Sequence, residues 1–283
     1  MIDCFDTSAI NRLHDDPERV AIVRGLLSTS VVRVTALNVI EVGGTADAER
    51  RNSLLRLLGE LAPGVRPLAS PTALLRILAK AHAEGNDRPI ISLPEEENGI
   101  WAGLNNPEGH NEETRQEALR WKQELEGPFR QAHETARPVL REFFTARGAA
   151  RPEAPSDVIR HYANSEDFLH EIVAPLYQRA TGHQLERTAL RGFFSQIRSW
   201  PLYFSGWAYA IYERAIQDSG YGHKSKAGTI DLSCAVYLPF CHRFVTDDVA
   251  QRKALRLVNV HNSREPRTRA LSYEDFRRRL LIL

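Results

Sequence analysis

The chain has 283 residues, 42% of them hydrophobic, with 37 Lys and Arg against 36 Asp and Glu. That length suffices for an elaborated domain with a buried core, and the near-zero charge balance excludes a uniformly polyanion-binding protein, leaving nucleic-acid contact to local patches. No apolar run reaches the roughly 18 residues a membrane span needs, and MIDCFDTSAI lacks the basic start and long apolar stretch of a secretory signal.

In chain order, IDCF is a short apolar run that reads as a buried strand, with Asp6 at its end. Residues Thr7 to Ser28 carry helical periodicity through Ile10, Leu13, Val20, Val23, Leu26 and Leu27; Pro17 interrupts it, so one helix or two fit equally. VVRVTA, rich in β-branched residues, reads as a second strand. Apolar positions recur at helical spacing from Leu37 to Leu61, where Gly43 and Gly44 either kink or divide the helix. PLASPTALLRILAKAHA reads as an extended piece leading into another helix, and NDRPIISLPEEENGIWAGLNNPEGHNEE, rich in Pro, Gly, Asn and Glu, as surface loop.

From about Glu112 to Gln217 the pattern is mostly helical, with an aromatic series from Phe143 to Tyr212. Such series pack as core more often than they stack bases. KAGTIDLSCAVYLPF reads as a helix closed by Pro239, HRFVT as a strand, DVAQRKAL as a short helix, RLVNV as a further strand and YEDFRRRLLIL as a last helical turn or two. Cys4, Cys234 and Cys241 lie on apolar stretches without CxxC spacing, so buried thiols in a reducing, cytoplasmic setting are expected. The expected fold class is α/β: a central, mainly parallel sheet built jointly by residues 1–69 and 226–283, with residues 70–225 as a large, mainly helical insertion.

Acidic residues recur at comparable places in this reading. Asp6 ends the first strand, Glu41 follows the second, Asp231 opens a helix, and Asp247 and Asp248 follow the strand HRFVT. The carboxyl rim of an open parallel sheet is where ligands bind. Carboxylates gathered there repel one another unless a cation neutralises them, and hard ions such as Mg²⁺ or Mn²⁺ take oxygen ligands. Capping explains Asp6, Asp231 and one of the paired aspartates as well. It does not explain a second aspartate, nor Glu41 amid Val39, Ile40 and Val42, where an unpaired carboxylate is costly.

CFDTSAINRL, VTALNVIEV, GTIDLSCAVYLPF and FVTDD resemble, in order and residue type, the motifs of the PIN-domain nucleases. The resemblance implies a PIN-like three-layer fold with Asp6, Glu41, Asp231 and Asp248 as catalytic, metal-holding acids. Asp247 is an added candidate ligand; the family's T-x-D spacing favours Asp248. Ser8 and Thr246 match positions where the family carries hydroxyls that hydrogen-bond within the acidic site. The implied activity is Mg²⁺- or Mn²⁺-dependent phosphodiester hydrolysis, with RNA as substrate and a toxin-type endoribonuclease, partnered by an antitoxin or other protein, as one biology. A structure-specific DNA nuclease and a non-catalytic nucleic-acid or protein-binding module are the alternatives. The helical insertion departs from compact family members.

GYGHKSKAGT lacks the G-x-x-x-x-G-K-[ST] spacing of a nucleotide-binding loop. Lys224 and Lys226, with His223, either hold a substrate phosphate or belong to a solvated loop. The pairs His133–Glu134 and His170–Glu171 lack a second ligand at zinc-site spacing and read as surface. Arg264, Arg267, Arg269, Arg277, Arg278 and Arg279 make the C-terminus basic, which fits RNA-backbone contact or a solvated face.

Overall fold

A computed structural model of the protein describes residues 1–146, 154–213, 228–261 and 267–281. His223, Lys224, Lys226, Arg264 and the His133 side chain lie outside what it describes. The chain opens with β1 (Ile2–Phe5), α1 (Thr7–Asp15), α2 (Arg19–Thr29), β2 (Val31–Arg33), α3 (Ala36–Gly43), α4 (Ala48–Leu61) and α5 (Pro71–Ala83). Pro17 separates α1 from α2, and Gly43 and Gly44 divide α3 from α4, whose N-cap Asp47 accepts from Arg50 N–H. The Pro- and Gly-rich passage predicted as loop contains α6 (Asn98–Asn105), because Ile100 and Leu104 bury one helical face.

The helical segment continues through α7 (Glu112–Ala146), α8 (Pro155–Asn164), α9 (Glu166–Phe168), a π-helical stretch Leu169–Val173, α10 (Ala174–Thr181), α11 (Arg187–Gln196) and α12 (Ser199–Ile211). The chain then forms α13 (Thr229–Ser233), a 3-10 segment Cys234–Phe240, β3 (Arg243–Val245), α14 (Val249–His261), β4 (Arg269–Leu271) and α15 (Tyr273–Leu281). RLVNV, predicted as a strand, is the second half of α14. Buried Gln251, Ala254, Leu255 and Val258 recur at helical spacing there, while Val260 is exposed. The strand that does follow, β4, is only RAL.

All four strands are parallel, in the order β2-β1-β3-β4. Ile2 lies opposite Val31, Phe5 opposite Val245, and Val245 opposite Leu271. The sheet is therefore assembled from both ends of the chain, and neighbours of β1 are reached in opposite directions. That makes the carboxyl ends of β1 and β3 a topological switch point, where the flanking connections diverge and leave a crevice.

Strand alternation divides the core. Cys4 and Phe244 point to one face, packed with Trp200, Phe204, Tyr237 and Val258; Phe5 and Val245 point to the other, packed with Ile10, Leu26, Leu58 and Phe276. Both faces are covered, as a buried parallel sheet requires. From Phe168 onward the aromatic series packs in or against the core, as predicted: Phe193 meets Trp200 edge-on at 4.9 Å, and Phe168 meets Phe204 at 5.2 Å; the Phe143 and Phe144 side chains lie outside the described residues. The three cysteines are buried and free. Among the described residues, no helix is long and apolar enough to cross a membrane.

Candidate active site

Asp6 leaves β1 with its backbone N–H still bonded to the Val245 carbonyl at 2.8 Å. Its side chain is buried and held from three directions. Oδ2 accepts from Ser8 N–H at 3.0 Å, capping α1, and from the Thr246 hydroxyl at 3.5 Å; Oδ1 accepts from Gln251 Nε2 at 3.3 Å. Thr246 Oγ1 also accepts from Asp248 N–H at 3.1 Å, and lies 3.2 Å from Ser8 Oγ. With its one proton committed to Asp6, Thr246 must accept from Ser8, whose oxygen accepts from Asp247 N–H at 2.9 Å. Both hydroxyls singled out in the sequence thus lie in one network that fixes Asp6 and the turn after β3.

Glu41 reaches the same place from α3. Thr35 and Asn38 form a capping box, and Asn38 Nδ2 donates to the Phe5 carbonyl at 3.0 Å and to Thr7 Oγ1 at 3.4 Å. Asn38 ties the first turn of α3 to the end of β1. Glu41, one turn later on the same helical face, therefore lies beside Thr7 and Asp6. Its carboxylate accepts from the Thr7 hydroxyl and pairs with Lys122 Nζ of α7 at 3.4 Å. Burial and then Asp6 raise its pKa, against Lys122 and Thr7, which lower it.

Asp231 comes from α13. Its Oδ2 accepts from Gly228 N–H, and a Cβ at Gly228 would stand 2.8 Å from that oxygen, so glycine is what lets the loop close on the carboxylate. Behind α13, a Cβ at Gly206 of α12 would meet the Leu232 carbonyl at 2.7 Å. The helical segment buttresses Asp231 through that close approach. The Asp231 pKa is raised from 3.8 to about 7 by burial, then by Asp6 and Glu41, with a smaller contribution from Asp248. Burial, followed by Asp6, Asp231 and Glu41, pushes the Cys234 thiol well up.

The paired aspartates part company. Asp248 caps α14 by accepting from Gln251 N–H at 2.8 Å, and its charge is felt by Asp231. Asp247 is turned to the rim, its side chain 38% exposed and paired with Arg12 Nε at 3.3 Å. Among the C-terminal arginines, Arg277 ties α15 to Asp16 at 3.0 Å and to Glu18, and Arg278 approaches Glu274 at 3.9 Å. Arg267 and Arg269 are exposed.

Contributors not singled out in the sequence include Asn38, Lys122 and Gln251. Gln251 is fully buried; its amide bridges Asp6 Oδ1 and the Asp231 carbonyl at 3.0 Å, and its Oε1 has no partner among the described residues. Its only signal is a polar residue on the buried stripe of α14, three positions after Asp248. Among the described residues, no three His, Cys, Asp or Glu side chains stand close enough to hold a metal ion as they are placed. The donor set itself, all carboxylate with a neighbouring amide oxygen, has the chemistry of a hard divalent cation. No protein-family model, curated protein or solved structure matches the chain.

Proposed function

We propose that the protein is a Mg²⁺- or Mn²⁺-dependent nuclease of PIN-like type acting on RNA, with Asp6, Glu41, Asp231 and Asp248 as its metal-holding acids. The observation that carries the proposal is electrostatic. Acids from both ends of the chain gather at the switch point of the parallel sheet, where burial first and then Asp6 and Glu41 raise Asp231 to about 7. A fold that only needed caps would not gather them. The sheet order and the ordered acids support the PIN-like reading, with the helical segment as an insertion that braces the site through Gly206.

When bound, a divalent ion supplies positive charge against the phosphodiester oxygens and acidifies its coordinated water. The chain's own residues prepare for it. Ser8 N–H and Thr246 O–H occupy Asp6 Oδ2, so Oδ1, steadied by Gln251, is the Asp6 oxygen left to an ion. Without an ion, Asp231 is partly protonated near neutral pH, and Oδ1 is the oxygen left for that proton, since Oδ2 accepts from Gly228. Asp247 and Arg12 stand at the rim, outside the set that couples to Asp231.

Cleavage of matched RNA and DNA strands in Mn²⁺ tests the proposal. Wild type should cut RNA, and Asp6→Asn and Asp231→Asn should fall to background while remaining folded. Undiminished cleavage by both variants would overturn the assignment, and preferential cutting of DNA would move the substrate to the alternative polymer. Growth arrest on expression, relieved by Asp6→Asn, would give it the biology of a toxin with an antitoxin partner.

A further inference from the structure

The long helix α7 brings a cation into the acid cluster. It crosses α3 where a Cβ at Gly43 would stand 3.2 Å from the Ala118 Cβ, and one at Gly44 would stand 3.1 Å from Leu119 Cδ2. A Cβ at either glycine would require its neighbour on α7 to give by a few tenths of an ångström. Lys122, one helical turn beyond Ala118, is thereby aimed at Glu41, with Nζ 3.4 Å from Oε1. The pair is asymmetric: the Glu41 side chain is 18% exposed and that of Lys122 37%. The ammonium reaches inward from the surface on a flexible stem, as a point charge able to swing back into water. Arg12 is spent on Asp247 at the rim.

We propose that Lys122 is a built-in counter-charge that occupies Glu41 in the metal-free protein and competes there with a divalent ion, so that metal entry releases α7 from Glu41. The inference rests on the metal reading above and adds to it a role for the helical segment. An ammonium and a dication on one carboxylate repel strongly at low effective dielectric, so they exclude each other. The acid cluster, in turn, stays assembled without metal because one of its members is neutralised from within.

Calorimetric titration of the whole chain with Mn²⁺, at fixed pH and salt, tests this on wild type, Lys122→Met and Lys122→Arg. Lys122→Met should bind Mn²⁺ about tenfold tighter, while Lys122→Arg, which keeps the charge, should stay near wild type. In thermal melts, Lys122→Met should lower the metal-free midpoint yet match wild type in saturating Mn²⁺. Equal or weaker binding by Lys122→Met, or a midpoint lowered equally with and without Mn²⁺, would reduce Lys122 to a packing residue and overturn the inference while leaving the metal reading intact. Failure of wild type and Lys122→Met alike to bind Mn²⁺ would remove both.

Discussion

β1 and the residue after it carry two buried aspartates in opposite circumstances. Asp3 is fully buried and answered by Arg243, whose Nε and second guanidinium nitrogen donate to its two oxygens, each at 2.6 Å. That guanidinium also reaches Ser30 at 3.0 Å and lies over the Phe276 ring. Asp6, at the other end of the strand, meets Gln251, Ser8 and Thr246 but no cation among the described residues. The chain thus neutralises one buried carboxylate with its own arginine and leaves the other among acids. At one end charge serves the fold; at the other Lys122 answers Glu41 while Asp6 stays among further acids, which is what a site awaiting a cation looks like.

The largest expected effect comes from breaking the satisfied end. Asp3→Ala leaves Arg243 buried without its partner and should cost about 3–5 kcal/mol in urea denaturation, with or without Mn²⁺. The unsatisfied end should behave in reverse. Asp231 has a folded pKa of about 7 against an ordinary 3.8, so the folded state binds more protons between those values. The contribution of Asp231 to the stability of the metal-free protein is therefore full below about pH 4 and falls as pH rises through about 7, by up to about 4 kcal/mol. Saturating Mn²⁺ should flatten that slope. Asp231→Asn should gain about 1–3 kcal/mol in the metal-free protein at pH 8, where wild type is most strained, and show little gain at pH 4. The smallest effect belongs to the rim: Arg12→Ala removes an exposed pair with Asp247 and should change stability by less than about 1 kcal/mol.

The same contrast marks what the sequence makes legible. Asp6, Asp231, Asp247 and Asp248 are visible because each follows a strand or opens a helix, and strand ends are set by short apolar runs such as IDCF and RFV; Glu41 is visible as a charge within an apolar stretch. Gly43 and Gly44 are visible as a break, yet their reason, the close crossing of α7, depends on residues far along the chain. Lys122 is separated from Glu41 by 81 positions and sits in a helix rich in charge, where nothing local distinguishes it. RLVNV misleads because Val258 and Val260 favour strands, whereas buried Gln251 hides the helical period that Ala254, Leu255 and Val258 continue. β4 is three residues beginning with an arginine, too short to show alternation. Long-range placement, more than local propensity, decided these cases.

A crystal structure of the protein soaked in Mn²⁺, read by anomalous scattering, tests the central claim most directly. The account predicts a Mn²⁺ peak enclosed by Asp6, Glu41, Asp231 and Asp248, with Asp3 still held by Arg243. An acid cluster without Mn²⁺ in crystals saturated with the ion, or a peak on the exposed Asp247 alone, would contradict it.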